Sequence, residues 1–280
     1  MSKRADFLIY PSLLNKFQSL LNYEQETDMP WNIVSESAHK RGEHLDKDVG
    51  DYILSPDEMY DKIENELLDM VNRITSDEPM EAADKGTAFN EVIDCLVEKR
   101  PCNIEGMTIE SVKDDNGVPF AVRACYNDFT WLFDLNLCKE VARANKNAVT
   151  QYLTRANLHT CNGLVGLYGF LDYWVADRVI DLKTTSYYTF GKFEQGWQHY
   201  VYPYALTEEG YDVSEFTYQV VVLSKPKSSD TVITGTISNE TYMYNHERAT
   251  KALTQICERF IEWLNLNTYR ITNGKIFNRA

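Results

Sequence analysis

Two apolar, strand-like segments joined by a short turn constrain this chain more than any other feature of the sequence. The segments are residues 164–175 and 179–183, and the Ala-Asp-Arg between them has the composition of a tight β-hairpin. Asp172 lies in the first segment and Asp181 in the second, with Lys183 two positions further on. Because side chains alternate between the faces of a strand, Asp181 and Lys183 point the same way. The sequence therefore predicts two acids and an ammonium group on one hairpin.

This grouping of charges has two interpretations. Buried strands seldom carry charged side chains without a partner, because an unpaired buried charge costs several kcal/mol. Two acids and a lysine at one point suit metal-assisted phosphodiester hydrolysis, in which the acids hold a hard divalent ion and the lysine orients water or offsets developing charge. The alternative is a structural ion pair between Asp181 and Lys183 on a half-exposed hairpin. The spacing alone leaves both open.

Further short motifs surround the hairpin, and together they resemble a known family. The chain reads G-x-x-D at 169–172, D-x-K-T-T at 181–185, Q-x-x-x-Y at 198–202 and G-T-x-x-N at 86–90. An N-terminal Y-P-S-L-L-N-K-F precedes them at 10–17. This set resembles the PD-(D/E)XK nuclease superfamily, in its RecB-type and phage-exonuclease-like branch. The similarity runs from about residue 10 to about residue 223 and is dense only between Gly163 and Tyr204.

The resemblance implies an α/β fold with a restriction-endonuclease-like core. That core consists of a helix, a three-stranded antiparallel meander, a second helix and a strand, here with helical N-terminal additions and a β-hairpin insertion. Sequence periodicity independently predicts elements in this order. The expected organisation is a single domain over 1–280, with an acidic helical part at 1–80, a nuclease core at 81–225, an insertion at about 105–133 and a C-terminal helix at 239–266.

The resemblance also assigns the site residues. It implies catalytic roles for Asp172, Asp181, Lys183 and Gln198, with the lysine orienting the water or stabilising the transition state. It implies Mg²⁺ or Mn²⁺ as cofactor, with no iron–sulfur cluster and no zinc. The implied ligands of the ion are the carboxylates of Asp172 and Asp181, the carbonyl of Leu182, and Glu91 or Asn90.

Position 90 departs from the family pattern, which commonly has a histidine there. The carbonyl of Asn90 can ligate a hard cation but brings no negative charge, and Glu91 is the alternative ligand, as a glutamate is in other branches. The predicted helix leaves both residues off its apolar stripe, which consists of Ala88, Phe89, Val92, Ile93 and Leu96. An ordinary solvated helix face is therefore the competing interpretation.

Polar groups after the lysine are expected to contact DNA. Gln198 and Tyr202 are four positions apart on a helix predicted over Phe193–Leu206 and so share a face. Aromatic residues at 197, 200, 202 and 204 can stack on unpaired bases or pack in the core, and core packing is favoured for Trp197 and Tyr200. The expected DNA-contacting residues are Thr184, Thr185, Lys192, Gln198 and Tyr202.

Charge divides the chain into an acidic part and a nearly neutral part. Residues 1–100 carry 11 Lys/Arg and 22 Asp/Glu, and residues 101–280 carry 17 and 20, which together give a net charge of −14. Because DNA binding depends largely on neutralising phosphates, the nearly neutral part is the better location for a DNA site. The acidic part is expected to aid solubility, to dock a recombination or replication protein, or to keep DNA to one channel.

Cysteine spacing and hydropathy exclude several classes of protein. The six cysteines form no C-x-x-C pair, which argues against zinc ribbons, disulfide frameworks and the iron–sulfur exonucleases of the same superfamily. No apolar run approaches the ~20 residues needed to span a bilayer, and the N-terminus lacks the apolar core of a signal peptide. We therefore expect no membrane partner and a cytoplasmic protein, in a bacterium or a phage-infected host.

The expected function is that of a Mg²⁺- or Mn²⁺-dependent deoxyribonuclease, more specifically an exonuclease in recombination, repair or phage DNA processing. The missing histidine and the acidic surface motivate an alternative, a nuclease-fold protein that binds DNA or a protein partner with weak or no cleavage. An acidic DNA-mimicking or scaffolding protein would explain the charge but not the spacing of the four residues at 172, 181, 183 and 198.

Overall fold

The computed structural model describes residues 4–27, 33–35, 51–53, 55–74, 80–224, 228 and 231–278, and its architecture is mixed α/β. Within those residues the α-helices, numbered α1 to α7, are Pro11–Leu21, Tyr23–Thr27, Pro56–Asn72, Glu81–Glu98, Leu135–Ala144, Gln198–Glu208 and His246–Leu266. Two short 3-10 helices, Thr268–Arg270 and Gly274–Phe277, follow α7. The α/β class predicted from the sequence is confirmed.

The strands form mixed sheets. Within the described residues the β-strands, numbered β1 to β12, are Phe7–Ile9, Ile33–Ser35, Asp51–Ile53, Thr108–Lys113, Pro119–Tyr126, Phe129–Asp134, Val149–Thr160, Gly163–Val175, Arg178–Thr185, Glu215–Leu223, Val232–Ile233 and Gly235–Met243. Strand β8 pairs with β7 and antiparallel with β9, β9 runs parallel to β10, and β10 pairs antiparallel with β12. A second sheet has the order β11-β6-β5-β4, and β2 pairs with β3.

The chain divides into two compact units. The first comprises Met1–Thr75, Asn157–Leu167 and Ala252–Ala280, and the second comprises Ser76–Ala156 and Tyr168–Lys251. The single domain expected over 1–280 stays a prediction, and parts of its acidic segment 1–80 lie outside the described residues. All the candidate site residues belong to the second unit.

In the first unit, helix α3 begins at a Ser-Pro-Asp-Glu sequence, residues 55–58, which is typical of a helix start. The side chain of Ser55 accepts a hydrogen bond from the Glu58 N–H at 3.3 Å, and the Glu58 carboxylate accepts one from the Ser55 N–H at 2.9 Å. This capping box satisfies two backbone donors that a helix start leaves unpaired. Elsewhere in the unit, the ring centroid of Phe17 on α1 lies 5.1 Å from that of Phe260 on α7.

The second unit is built around the packing of α4 on the strands. The predicted apolar stripe of α4 is buried at Ala88, Phe89, Val92 and Ile93, and Leu96 packs against the same core. The strand residues that share this core with α4 include Tyr173 on β8 and Ile180 and Leu182 on β9. Helix α4 therefore lies against the face of β9 that carries Leu182, and alternation directs Asp181 and Lys183 to the opposite face.

Two element boundaries differ from those expected from the sequence. The helix expected at 239–266 begins at His246, because Gly235–Met243 pairs with β10 along its whole length, from Glu215↔Met243 to Leu223↔Gly235. The helix expected from residue 193 begins at Gln198, after a series of turns. Within the described residues, no helix is both long enough and apolar enough to cross a lipid bilayer.

Candidate functional site

The turn between β8 and β9 brings the predicted site residues of these strands together. Val175 pairs with Arg178, so the turn consists of Ala176 and Asp177, and Ala176 has a φ of 52°. A positive φ at the first turn position is typical of two-residue hairpins, because it matches the twist of the flanking strands. The predicted tight hairpin is confirmed.

Asp181 is the centre of a polar cluster on β9 and α6. Its Oδ1 accepts a hydrogen bond from Gln198 Nε2 at 2.8 Å, and its Oδ2 lies 2.7 Å from Lys183 Nζ. The contact with Lys183 is a close ion pair, and Oδ2 has no further polar partner among the described residues. The side chain of Asp181 is only 3% exposed. Three residues that the sequence analysis grouped are thus in contact.

Lys183 is held in its charged form. Burial alone would lower the pKa of Lys183, but the negative charges of Asp181 and Asp172 outweigh it and raise this pKa overall. An amine that keeps its proton is suited to orient water or to stabilise negative charge, and is poorly suited to act as a base.

Asp172 lies beside this cluster, and nearby positive charge only partly balances its negative charge. Its Oδ2 accepts a hydrogen bond from the Leu182 N–H at 2.7 Å. Burial and then the charge of Asp181 raise the pKa of Asp172, and Lys183 only partly opposes them. A cation next to the two carboxylates would relieve this repulsion.

Glu91, one of the two predicted ligands on α4, is committed to an ion pair. Arg100 donates to both of its oxygens, from Nη1 to Oε1 at 2.5 Å and from Nη2 to Oε2 at 3.0 Å. The Asn103 N–H also donates to Oε1, at 2.9 Å. Burial alone would raise the pKa of Glu91, but these hydrogen bonds lower it overall. Glu91 is 4% exposed, so the alternative interpretation of this face as solvated is wrong at this position.

Asn90 keeps an unused oxygen. Its Oδ1 is buried and has no hydrogen-bond partner among the described residues. Asn90 also lines a pocket of about 390 Å³, together with Glu91, Asp94, Arg100 and Asp172. Of the described residues that line this pocket, only Asp172 belongs to the predicted catalytic set. The geometry therefore favours Asn90 over Glu91 as the helix ligand, and the assignment stays a prediction.

Asp94 is a residue of this pocket that the sequence analysis did not assign. Its Oδ1 accepts a hydrogen bond from the Tyr173 hydroxyl at 2.6 Å, and its Oδ2 accepts one from Gln151 Nε2 at 3.2 Å. Burial raises the pKa of Asp94 to about 6, although these hydrogen bonds oppose the shift. The sequence signal was its position one helical turn after Asn90, on the same face.

A glycine sets the distance between α4 and β9. A Cβ added at Gly86 would lie 2.9 Å from Thr184 Oγ1, so an alanine there would require the Thr184 side chain or the helix to shift. Thr184 is therefore turned toward α4, whereas Thr185 shares the face of Asp181 and Lys183. Thr185 Oγ1 accepts a hydrogen bond from Lys192 Nζ at 3.2 Å. Of the predicted DNA contacts, Thr185 and Lys192 lie together, and Thr184 lies apart from them.

The side chain of Tyr202 is buried in the core beneath the site. It is 6% exposed, and its ring centroid lies 6.4 Å from that of Phe216. Burial raises its pKa, and a hydrogen bond with Gln198 partly opposes this shift, as expected for two residues on one helix face. The predicted contact of Tyr202 with DNA stays a prediction, and its burial argues against it. Tyr204 is buried as well, at 4% exposure.

The oxygen atoms near Asp172 and Asp181 suit a hard cation in chemistry. Carboxylate, carbonyl and amide oxygens are the ligands that Mg²⁺ and Mn²⁺ prefer. In the part of the chain that the structure describes, no group of three or more His, Cys, Asp or Glu side chains is arranged to hold a metal ion. A cation here would therefore depend on two carboxylates, supplemented by neutral oxygen atoms.

Comparisons with known proteins add little. No family model matches the chain, and no curated protein matches it. A solved structure described as "Crystal structure of SSO0001" is 14% identical, with a TM-score of 0.32, over 45% of this chain and 55% of that chain. The match thus spans little more than half of that protein. At this TM-score the similarity carries no argument about fold or function.

Proposed function

We propose that this chain is a Mg²⁺- or Mn²⁺-dependent deoxyribonuclease of the PD-(D/E)XK superfamily, in its RecB-type and phage-exonuclease-like branch. The observation that carries the proposal is the contact of Asp181 with both Lys183 and Gln198, with Asp172 beside them. The order of elements also supports it: after α4, the strands β4 to β6 and helix α5, the chain continues with β7, β8 and β9, then α6, then β10 parallel to β9. With β4 to β6 and α5 taken as an insertion, this order is compatible with the core that the resemblance implies.

The residues present fit the cation that this function requires. Asp172, Asp181 and the Leu182 carbonyl would hold it, with Asn90, which lines a pocket together with Asp172, as the helix ligand; the buried and unpaired Oδ1 of Asn90 supports its assignment. The chemistry supplied by a bound Mg²⁺ or Mn²⁺ would be polarisation of the scissile phosphate and activation of the attacking water. Lys183 would orient the water or offset the charge that develops on the phosphate. Gln198 would hold the Asp181 carboxylate in place.

The proposed partner is DNA, and the proposed process is recombination, repair or phage DNA processing in the cytoplasm. Exonuclease action is the favoured form of cleavage. The acidic residues of the segment 1–80 would repel DNA at neutral pH, and we propose that segment as a docking face for a recombination or replication protein.

Loss of cleavage in variants of the Asp181–Lys183 pair tests the proposal. Asp181→Ala and Lys183→Ala are expected to abolish Mg²⁺-dependent cleavage of end-labelled linear DNA, because they remove a ligand and the ammonium group. Lys183→Gln keeps a hydrogen-bond donor next to Asp181 but removes the positive charge. Loss of cleavage in this variant would therefore be due to the missing charge and not to misfolding. Digestion of linear, circular and single-stranded DNA by the wild type distinguishes cleavage from DNA ends from internal cleavage.

The control is Lys139→Gln, which removes an exposed lysine on α5 and should cut like the wild type. Circular dichroism checks that each variant is folded. Cleavage by folded Asp181→Ala and Lys183→Ala at the wild-type rate would refute the nuclease assignment.

One observation favours a second candidate function, a nuclease-fold protein that binds DNA or a protein partner with weak or no cleavage. The bidentate ion pair with Arg100 uses both oxygens of Glu91, and Tyr173 and Gln151 engage the oxygens of Asp94, so the pocket residue of the helix with an unpaired oxygen is the neutral Asn90. A weakly held ion would give a weak or inactive enzyme.

Calorimetric titration with Mn²⁺ separates the two functions. An intact site is expected to bind Mn²⁺ in the wild type and to lose most of that heat in Asp172→Asn, because one of two carboxylate ligands is gone. The matched control is Asp212→Asn, an exposed residue of the same unit, which should titrate like the wild type. Identical weak titrations for the wild type and Asp172→Asn would favour the binding protein.

A further inference from the structure

The loop of residues 186–197, which joins β9 to α6, contains two groups of aromatic side chains. Tyr188 and Phe193 turn inward: the Tyr188 hydroxyl donates to the buried carboxylate of Glu240, and the Phe193 ring centroid lies 5.1 Å from that of Tyr218. Tyr188 and Phe193 also stack on each other, with ring planes 17° apart. These contacts place the loop against β10 and β12.

Hydrogen bonds fix the segment of the loop that lies between Tyr188 and Phe193 in sequence. Glu240, which is 1% exposed, also accepts a hydrogen bond from the Gly191 N–H at 3.1 Å. Lys192 Nζ donates to Thr185 Oγ1 at 3.2 Å and to the Tyr187 carbonyl at 3.1 Å. The loop therefore closes back on the end of β9, and its outward-facing side chains are presented from a fixed backbone.

Tyr187 and Phe190 are those outward-facing side chains. They are 67% and 83% exposed, although burial of an aromatic side chain is ordinarily favourable. Since Tyr188 and Phe193 are packed and Trp197 is partly buried against Tyr200, high exposure is specific to these two positions. Aromatic rings on a fixed backbone provide contact area at a low entropic cost.

The chemistry around the rings indicates their partner. The exposed ammonium of Lys192 contacts the Tyr187 carbonyl and Thr185, and Thr185 continues the β9 face of Asp181 and Lys183. An exposed aromatic ring can stack on a base of a nucleic acid strand, and the ammonium group of Lys192 can pair with its phosphate. Thr185, which Lys192 contacts, connects both to the strand that carries the candidate catalytic residues. Glu194 brings one opposing charge to the loop.

We propose that Tyr187 and Phe190 form a base-stacking platform for an unpaired DNA strand, so that single-stranded or frayed ends are the substrate class of this site. The inference rests on the proposed nuclease function. In an intact duplex each base is already stacked on its neighbours, whereas an unpaired base offers a free face to an aromatic ring. Lys192 contacts the phosphate next to the stacked base.

Equilibrium binding in the presence of a metal chelator tests the platform without cleavage. Fluorescence anisotropy measures the Kd for a single-stranded oligonucleotide, for a strand of equal length made of abasic sites, and for a blunt duplex. The double variant Tyr187→Ala/Phe190→Ala is expected to bind the normal strand at least about tenfold more weakly than the wild type. Its affinity for the abasic strand should be unchanged, because the phosphates remain.

Two further variants identify the cause of any loss. Tyr187→Phe/Phe190→Tyr keeps both rings and should bind like the wild type, whereas Tyr187→Leu/Phe190→Leu keeps only apolar character and should bind weakly. Tyr269→Ala, which removes another ring that is 83% exposed, is the control for exposure alone.

The outcomes distinguish failure of the platform from failure of the nuclease. A wild type that cuts DNA in a Lys183-dependent way, with normal binding by the double alanine variant, overturns the platform alone. Equal losses on the normal and abasic strands also overturn it. A wild type that neither binds nor cuts any DNA refutes both proposals.

Discussion

Asp172→Asn is expected to stabilise the protein near neutral pH and at the same time to abolish DNA cleavage. The carboxylate of Asp172 is destabilised by burial and by the charge of Asp181, as its raised pKa indicates. The asparagine has nearly the same shape and can still accept the hydrogen bond from the Leu182 N–H. We expect a gain of roughly 1 to 2 kcal/mol in the free energy of unfolding, after allowance for solvent that reaches the residue from the pocket. Functional sites often sacrifice stability in this way.

The sign of the pH dependence follows from the same shift. Because the pKa of Asp172 is raised on folding, the native state binds more protons than the unfolded chain between the two pKa values. The contribution of Asp172 to the stability of the wild type is therefore expected to fall as the pH rises from acidic to neutral. Asp94, whose pKa is raised to about 6, adds a loss of the same sign. The stabilising effect of Asp172→Asn should accordingly grow with pH.

Urea denaturation at a series of pH values measures both effects. The exposed Asp212→Asn variant serves as the control, and its stability should follow that of the wild type at every pH. An Asp172→Asn variant that is less stable than the wild type near pH ~8, or that has the same pH dependence, would contradict the electrostatic account.

Arg100→Ala is expected to be among the most destabilising single substitutions in the second unit. It leaves the Glu91 carboxylate, which is 4% exposed, without its bidentate partner. Removal of one member of a buried ion pair costs about 3 kcal/mol or more, because the remaining charge stays buried. The free energy of unfolding from urea denaturation measures this cost.

A second ion pair provides a matched control. Arg123 lies 3.8 Å from Glu110, and both side chains are exposed, at 42% and 68%. Arg123→Ala should therefore cost less than about 1 kcal/mol. The double variant Glu91→Gln/Arg100→Ala should recover part of the loss, because no unpaired charge remains. If Arg100→Ala and Arg123→Ala cost the same, the ion pair with Glu91 has no special role in stability.

The strands of the candidate site follow from the sequence because their determinants are local. The two-residue turn at Ala176 and Asp177 fixes the pairing of β8 with β9. Strand alternation then puts Asp181 and Lys183 on one face, where the structure has them 2.7 Å apart. The four-residue spacing of Gln198 and Tyr202 is equally local.

The burial of the polar face of α4 does not follow from local pattern. Glu91 and Asp94 have the spacing of a solvated helix face, and residues that are distant in sequence cover them. Arg100 turns back from the end of the helix, while Gln151 and Tyr173 arrive from β7 and β8. The burial of these carboxylates is therefore determined by tertiary packing.

Exposure of aromatic residues is similarly a tertiary property. The sequence offered four aromatic positions at 197–204 for stacking on bases, and Tyr202 and Tyr204 among them are buried. The exposed rings are those of Tyr187 and Phe190, which the sequence alone does not distinguish from the packed rings of Tyr188 and Phe193. The difference arises because Glu240 and Tyr218, on neighbouring strands, engage only the packed pair.

The near-contact of Gly86 with Thr184 has an evolutionary consequence. A single methyl group at position 86 would meet Thr184 Oγ1 at 2.9 Å, so either the Thr184 side chain or the helix that carries Asn90 and Glu91 one turn further on would have to shift. Homologues that carry alanine at position 86 should therefore compensate with a smaller residue at position 184. These two positions are expected to co-vary, even though neither takes part in the chemistry.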